Sequence, residues 1–219
     1  MYIAIISAVD AEFVALCRKI EVDSQDEIHS IPLVFGKIQG RDCIIAKCGI
    51  GKVNAARCAQ LLIDKYEIKY VINTGSAGAL NPDLKYGDIV ISVDCVQFDF
   101  DISVFGHEKG LVFAADDKLV KRARKISPNA LFGRIATGDQ FHNNPKIKKQ
   151  LHLEFAADCD EMEGAAVAQV CDFCGVPFII VRSISDKPEN EEQLDFYKYI
   201  TAASENCANF IEKFIGGKS

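Results

Sequence analysis

The sequence predicts an α/β fold, a single-domain three-layer α/β/α sandwich with a mixed central sheet. Two observations predict it. Strand and helix patterns alternate along the chain, and the strand patterns are nearly continuous runs of Val, Ile, Leu and Phe. Such runs are typical of strands that helices cover on both faces. Because no linker, repeat or low-complexity tract interrupts the alternation, we expect residues 1–219 to form one domain.

Eight strands and six helices are expected from these patterns. The strands, rich in β-branched and aromatic residues, are expected at residues 2–7, 32–38, 42–48, 69–74, 88–98, 131–137, 157–161 and 177–183. The helices are expected at residues 10–20, 52–65, 116–126, 144–151, 163–174 and 193–215. The last helix has the clearest pattern, because apolar residues recur every three or four positions between Phe196 and Phe214 before Gly216 ends it.

Composition narrows the classes of partner. A chain of 219 residues with 49% hydrophobic content can bury a full core. The net charge of −6, with Lys and Arg scattered along the chain, argues against nucleic acid or an anionic membrane as the partner. No apolar run reaches the roughly 20 residues of a membrane span, and Met1–Ile6 lacks the basic flank of a signal peptide. The expected ligand is therefore a small molecule.

The nine cysteines favour a reducing, cytoplasmic setting, since their number is odd and most lie within apolar runs. We expect no disulfides. Cys171 and Cys174 have the C-x-x-C spacing of redox and zinc sites, but no second pair or histidine cluster accompanies them. We therefore expect neither a metal site nor a cofactor.

A Ser-x-Ser-Asp segment follows directly on the last predicted strand and ends at Asp186. Ligands of open α/β sheets bind at the carboxyl ends of the strands. A carboxylic acid there can give a proton to a leaving group if its surroundings raise its pKa towards neutrality. Three further segments carry candidate residues: Ser7–Glu12, the Gly-rich Asn73–Leu80, and Glu161–Gly164 before an Ala-rich helix. Together they indicate an enzyme that uses two or three carboxylates.

Neither glycine-containing segment matches a nucleotide-binding motif. Gly49–Asn54 lacks the four-residue spacer before Gly-Lys that a Walker A loop needs. Gly75–Gly78 reads G-x-x-G rather than the dinucleotide fingerprint G-x-G-x-x-G. We expect Gly75–Gly78 to form a tight turn where the backbone approaches a small ligand closely, with a purely structural turn as the alternative.

The pattern alone leaves the roles of the charged candidates open. Glu161 and Glu163 would share one side of an extended strand but would splay apart in a first helical turn. They could face solvent and complement the helix dipole, although their apolar flanks favour a buried pair that grips sugar hydroxyls. Glu12 could likewise face water, and Arg182 could simply pair with an acid.

Seven motifs follow one another along essentially the whole chain. They are Ser7-Ala8-x-x-x-Glu12, Gly49-Ile50-Gly51-Lys52-Val53-Asn54-Ala55-Ala56, Asn73-Thr74-Gly75-Ser76-Ala77-Gly78, Gly87-Asp88-Ile89-Val90, Thr137-Gly138-Asp139-x-Phe141, Glu161-Met162-Glu163 and Arg182-Ser183-Ile184-Ser185-Asp186. In this order they resemble the motifs of the 5'-methylthioadenosine/S-adenosylhomocysteine nucleosidase family, within the purine nucleoside phosphorylase-like superfamily. The resemblance implies a nucleoside phosphorylase-like fold, an adenine nucleoside as substrate, and a homodimer.

The resemblance also implies catalytic roles. Asp186 is expected to donate a proton to N7 of adenine, with Ser185 orienting it, and Glu12 is expected to activate the attacking water. The chemistry of glycosidic cleavage asks for such groups, because an oxocarbenium-like state forms, the leaving base needs a proton, and water needs a base.

Substrate-binding roles carry over in the same way. Glu163 is expected to grip the ribose hydroxyls, Met162 to pack against the sugar, and Phe141 to stack on adenine. The backbone of His142 is expected to read the purine edge. Further residues are expected to frame the ribose and water, leave room for the base or close over the site: Ile50, Ser76, Ala77, Gly78, Glu161, Arg182, Ser185, Phe196 and, reaching the 5'-substituent, Phe105 of the partner subunit.

The chain departs from the family pattern in three places. Gln97–Asp101 stands where the family commonly has Tyr-His-Asp-Ala-Asp, and His142 replaces an aliphatic residue. The loop after Gly110 is short, whereas in the family this loop tends to carry Pro and to line the partner subunit's site. The preference among 5'-substituents is therefore left open, with 5'-deoxyadenosine and 6-amino-6-deoxyfutalosine as alternative substrates.

Two other functional classes compete with the nucleosidase. A phosphorylase would need a phosphate pocket, typically with an arginine shortly after the first strand, but Ser7–Glu12 offers two acids and no base. Phosphate would be repelled there, which favours hydrolysis. A non-catalytic nucleoside sensor would be expected to lose Glu12 or Asp186, and both are present.

Overall fold

The computed structural model of the protein describes residues 1–186 and 196–217, without the side chains of residues 196–198. Within these residues the chain forms ten strands and six α-helices. The strands are β1 (Tyr2–Ser7), β2 (Glu21–Ile28), β3 (Ile31–Ile38), β4 (Arg41–Lys47), β5 (Ile68–Ala79), β6 (Ile89–Gln97), β7 (Leu111–Ala114), β8 (Leu131–Thr137), β9 (Cys159–Glu161) and β10 (Phe178–Asp186). The helices are α1 (Asp10–Cys17), α2 (Lys52–Lys65), α3 (Asp117–Ile126), α4 (Pro145–Phe155), α5 (Gly164–Cys174) and α6 (Phe196–Gly216).

The strands form a mixed sheet. β4, β1, β5 and β10 are parallel neighbours, and the β2–β3 hairpin extends the β4 edge in antiparallel fashion. Beyond β10 the order is β6, β8 and β9, with β7 attached to β6, and β9 pairs back onto β5. β5, β10, β6, β8 and β9 therefore close into a ring, which brings β9 beside the carboxyl end of β5.

Helices cover both faces of this sheet. α2 packs against α5 on one face, and α1 and α3 pack against α6 on the other. The strands between them are buried, as shown by Ile5, Ile72 and Ile180, each 0% exposed. This double covering explains the near-continuous apolar runs, and it confirms the expected α/β/α sandwich with a mixed sheet.

Helix α4 places a lysine in the protein interior. Asn144 caps the start of the helix, because its side chain accepts a hydrogen bond from the N–H of Lys146 at 2.9 Å. Lys148, Leu151 and Phe155 follow one another at spacings of three and four residues, and all three are buried. The periodicity that buries the two apolar side chains therefore also buries the Lys148 ammonium.

The expected tight turn within Asn73–Leu80 is wrong. β5 continues through Ala79, and neither Gly75 nor Gly78 has a positive φ. A Cβ on Gly75 would lie 2.5 Å from Glu12 Oε1. Glycine is therefore needed there because charged side chains approach an extended strand closely, and not because the backbone turns.

The sequence pattern also misses two strands. β2 reads EVDSQDEI and is exposed along almost its whole length, so it has no apolar pattern, and β7 has only four residues. The first helix ends at Cys17 rather than residue 20, and the expected start of the last helix at residue 193 lies outside the described residues. No helix in the described ranges has the length and apolar character needed to span a bilayer.

Candidate active site

The parallel strands β1, β5 and β10 end at the same edge of the sheet, where an open cavity of about 140 Å³ lies. The fold brings together at this cavity twelve residues expected from the sequence, namely Glu12, Ile50, Ser76, Ala77, Gly78, Phe141, His142, Glu161, Met162, Glu163, Ser185 and Asp186. The cavity is also lined by residues that the sequence does not predict, namely Ala8, Val9, Gln140, Asp160 and Ile200.

Glu12 is buried at the start of α1 and faces the cavity. Its Oε2 accepts hydrogen bonds from the N–H groups of Ala8 at 2.9 Å and Val9 at 3.2 Å. Its Oε1 accepts a hydrogen bond from the N–H of Ser76 at 2.9 Å. With 4% of its surface exposed, Glu12 does not adopt the solvent-facing alternative, and backbone donors fix its carboxylate at the cavity wall.

Glu161 and Glu163 are both buried, so the solvent-facing alternative fails for this pair too. Glu161 is satisfied within the protein: its carboxylate accepts hydrogen bonds from the N–H of Glu163 at 2.9 Å and of Gly164 at 2.7 Å, and it pairs with Arg182. Arg182 is 1% exposed and donates to Asn73 Oδ1 at 2.5 Å, behind the cavity wall. Burial alone would lower the pKa of Arg182, but the charges of Glu161 and Glu163 hold it above its usual value.

Glu163 keeps acceptor capacity for a ligand. Its Oε1 accepts a hydrogen bond from the N–H of Gly51 at 3.0 Å, while its Oε2 lies 3.7 Å from an Arg182 nitrogen. Burial raises the pKa of Glu163 to about 7, with the charge of Glu161 adding to the rise and Arg182 opposing it. A carboxyl group with spare lone pairs in a cavity wall is suited to binding hydroxyl groups.

Asp186 is the last residue of β10, and its side chain is 24% exposed at the cavity. Its Oδ1 accepts a hydrogen bond from the Ser185 hydroxyl at 3.3 Å. Its Oδ2 accepts a hydrogen bond from the ammonium group of Lys148, whose side chain is 1% exposed. The acid at the strand end thus has a hydroxyl and a buried lysine as partners.

A second buried acid lies beside this pair. Asp160 Oδ2 is 3.2 Å from His142 Nδ1, and burial raises the pKa of Asp160 although the hydrogen bond from His142 and the charge of Lys148 oppose the rise. A Cβ on Gly78 would lie 2.6 Å from Asp160 Oδ1, 2.7 Å from Lys148 Nζ and 2.9 Å from Asp186 Oδ2. Glycine therefore leaves these three charged groups room to converge.

The aromatic candidates differ in their placement. Phe141 lines the cavity and is 63% exposed, whereas the ring of His142 turns into the protein, with its centroid 5.5 Å from that of Phe98. Phe105 lies in the exposed 3-10 helix Ser103–Phe105, away from the cavity lining. The side chain of Phe196 lies outside the described residues.

Sequence reasoning missed Lys148 and Asp160. Their signals are weak: Lys148 shares helical spacing with two apolar residues, and Asp160 lies next to Glu161 in a three-residue strand. Within the described ranges, no group of three or more His, Cys, Asp or Glu side chains is arranged to hold a metal ion. What the cavity does hold is a carboxylate fixed by backbone donors, a carboxyl with spare acceptors, and an acid at a strand end. These are the groups that glycosidic hydrolysis uses.

Comparison with known proteins agrees with this chemistry. The family model of the phosphorylase superfamily matches residues 2–216. The 5'-methylthioadenosine/S-adenosylhomocysteine nucleosidase of Shewanella halifaxensis is 41% identical over 221 residues, covering 95% of this chain and 96% of that protein.

Solved structures of nucleosidases also match this chain over almost its full length. An aspartate-to-asparagine variant of the Helicobacter pylori nucleosidase, with 5'-methylthioadenosine in its active site, matches with a TM-score of 0.93 and 29% identity, covering 98% of this chain and 97% of that chain. A Helicobacter pylori futalosine hydrolase structure matches with a TM-score of 0.92 and 29% identity, with the same coverage of 98% and 97%. The chain therefore belongs to the phosphorylase superfamily and, within it, to the family of the 5'-methylthioadenosine/S-adenosylhomocysteine nucleosidases.

Proposed function

We propose that this chain is an N-ribosyl hydrolase that cleaves the N-glycosidic bond of 5'-methylthioadenosine and S-adenosylhomocysteine. The products are adenine and the corresponding 5-thioribose. The observation that carries the proposal is the meeting of Glu12, Glu163 and Asp186 around one cavity. The names of relatives that match almost the full chain support the same substrates.

Departure of the base is the first step. The bond between the anomeric carbon and N9 of adenine breaks, and its electron pair goes to the base. Asp186 is oriented by the Ser185 hydroxyl and, in its protonated form, which competes with its ion pair to Lys148, gives a proton to N7, so that the base leaves without negative charge. The ribose becomes oxocarbenium-like, and the nearby carboxylate of Glu12 stabilises its positive charge.

Attack of water is the second step. Water adds at the anomeric carbon, and Glu12 accepts its proton. The hydrogen bonds from Ala8 and Ser76 support this role, because they hold the carboxylate in one orientation before the substrate arrives. After the products leave, Glu12 releases its proton to solvent and Asp186 takes one up, which restores both groups.

The remaining residues bind the substrate. Glu163 accepts hydrogen bonds from the ribose hydroxyls, and Met162 packs against the sugar. Phe141 stacks on adenine, and the backbone of His142 reads the purine edge. Ser76, Ala77, Gly78 and Ile50 complete the wall. From behind the wall, Arg182 holds the acidic pair in place.

Hydrolysis is favoured over phosphorolysis by the charge near β1. The segment after this strand carries Asp10 and Glu12, and the nearby Lys47 is paired with Asp10 at 2.5 Å. A phosphate dianion placed beside Glu12 would be repelled. Water, which is neutral, has no such penalty.

We propose further that residues 1–219 form one nucleosidase domain that acts as a homodimer in the cytoplasm. Val53, Val104 and Phe105 are 78%, 84% and 78% exposed, which supports burial against a second copy. Phe105 of the partner subunit would then reach the 5'-substituent. The nine free cysteines support a reducing compartment.

The test is adenine release, followed by chromatography, from four nucleosides: 5'-methylthioadenosine, S-adenosylhomocysteine, 5'-deoxyadenosine and 6-amino-6-deoxyfutalosine. Faster release from the first two supports the proposal. Preference for either of the others would indicate that the short segment after Gly110 accommodates a different 5'-substituent. Binding without any release would place the protein among nucleoside sensors.

A further inference from the structure

Three charged side chains meet over Gly78, and the proposed cleavage of an adenine nucleoside uses only Asp186. The other two are Lys148 and Asp160. Both are buried, and Asp160 lines the cavity while Lys148 donates to Asp186 from beneath it. Burying a lysine and a second aspartate costs free energy unless they are paired, and protonation of N7 needs neither. Lys148 is paired with Asp186 and Asp160 with His142, which accounts for their burial, so the remaining question is what both could do at the end of the cavity where the purine base would lie.

The donor from Lys148 is complementary to a 6-oxopurine. Along the N7 edge, adenine presents an acceptor at N7 and a donor at its 6-amino group, whereas a 6-oxopurine presents two acceptors, N7 and O6. Asp186 serves N7. The Lys148 ammonium lies beside Asp186 Oδ2, behind the cavity wall at Gly78, where a Cβ would be 2.7 Å from its nitrogen. Because the 6-substituent neighbours N7, O6 would reach this donor through the space that glycine leaves in the wall.

Asp160 offers an acceptor that is complementary to N1 of a 6-oxopurine, the ring atom next to C6. A 6-oxopurine carries a hydrogen on N1, where adenine has a lone pair. Asp160 Oδ2 faces His142 at 3.2 Å, which leaves Oδ1, near Gly78, to accept a hydrogen bond from N1–H. Towards adenine the same oxygen would meet another acceptor.

We propose that Lys148 and Asp160 enable this enzyme to cleave nucleosides whose leaving base is a 6-oxopurine, in addition to adenine nucleosides. The chemistry is unchanged: N9 takes the electron pair, N7 takes a proton from Asp186, and water gives its proton to Glu12. The inference rests on the proposed function, since it uses the same cavity and the same reaction.

The test compares 5'-methylthioinosine with 5'-methylthioadenosine on the unmodified chain, following release of hypoxanthine and adenine. A site built to pair only a 6-amino group would reject the 6-oxo analogue by about 10⁴-fold or more in kcat/KM, so we expect a difference below about a thousandfold, and a larger one overturns the inference. Cleavage of the adenine nucleoside alone removes the inference and keeps the proposed function. Cleavage of neither removes both.

A variant identifies the residue responsible. Lys148→Met keeps the length of the side chain but removes its donors, so kcat/KM for 5'-methylthioinosine should fall relative to 5'-methylthioadenosine by roughly 10- to 100-fold, the value of one hydrogen bond to a charged group. Lys149→Met, at the exposed next position of α4, is the matched control and should leave the ratio unchanged. An unchanged ratio in Lys148→Met overturns the role of Lys148. If this variant does not fold, the comparison on the unmodified chain still decides the inference.

Discussion

Glu12 Oε1 accepts a hydrogen bond from the N–H of Ser76 at 2.9 Å, joining α1 to a strand 64 residues further along the chain. Its other oxygen is held by the N–H of Ala8 at 2.9 Å. The carboxylate is thus oriented by the backbone and needs no substrate to position it. Preorganisation of this kind lets a charged group act without reorganisation at the moment of reaction.

Glu12→Gln should therefore lower both turnover and stability. An amide has an acceptor on one side only, so its nitrogen must face the N–H of either Ser76 or Ala8, at a cost of about 1–3 kcal/mol. Loss of the base should reduce kcat by roughly 10²- to 10⁴-fold. Asp10→Asn is the control, since its side chain is 84% exposed in the same helix. Steady-state kinetics and urea unfolding measure both effects, and equal behaviour of the two variants would contradict the role of Glu12.

Asp186→Asn should nearly abolish turnover while much of the substrate affinity remains. Loss of the proton donor should reduce kcat by roughly 10²- to 10⁴-fold, and calorimetric titration with 5'-methylthioadenosine should show a smaller change in Kd. The substitution also leaves Lys148 without its partner carboxylate. The double variant Asp186→Asn/Lys148→Met removes this unpaired charge, so it should recover any lost stability without recovering turnover. Equal losses of binding and turnover would count against the proton-donor role.

Stability should depend on pH through Glu163. Burial raises its pKa from 4.5 to about 7, so the native state holds a proton that the unfolded chain releases. The resulting stabilisation is fully present below pH 4.5 and is lost as the pH rises to 7, an effect on the order of 3 kcal/mol. The side chain of Glu163→Gln stays neutral, so the free energy of unfolding of this variant, measured in urea, should rise relative to that of the unmodified chain between pH 5 and pH 8. A difference that does not change with pH would refute this account.

Gly75→Ala should lower both stability and turnover, because the added methyl group would displace buried side chains of the site. The added Cβ would lie 2.5 Å from Glu12 Oε1 and 2.6 Å from an Arg182 nitrogen, and both side chains are buried and hydrogen-bonded. We expect a loss of about 1–3 kcal/mol in stability together with reduced kcat. Gly216→Ala is the control, because the three atoms nearest to its added Cβ all belong to the exposed side chain of Gln39 and none to a charged group of the site. If the melting temperature and kcat of Gly75→Ala match those of the control, the close approach of Glu12 and Arg182 to Gly75 is unimportant.

The sequence predicts most of the fold because burial on both faces leaves a strong apolar pattern, as in β1 and β10. It predicts the position of Asp186 for the same reason, since a strand that is easily located has an easily located carboxyl end. β2 escapes prediction because an exposed edge strand needs no apolar side chains.

The end of the cavity where the purine base would lie is harder to predict from the sequence. Lys148 lies in the basic run Lys146–Lys149, which has the composition of a solvated helix face, and only the burial of α4 shows that it points inward. The glycines of β5 predict a turn when read alone, because the sequence does not show which side chains approach them. Gly75 is explained by Glu12 and Arg182, both remote in the chain.

Adenine release from 5'-methylthioadenosine, measured with and without phosphate, distinguishes hydrolysis from phosphorolysis. We expect the same rate in both conditions, because water is the nucleophile and the carboxylate of Glu12 disfavours a phosphate ion beside it. Strict dependence on phosphate, with a ribose phosphate as the second product, would contradict this expectation and make the protein a phosphorylase.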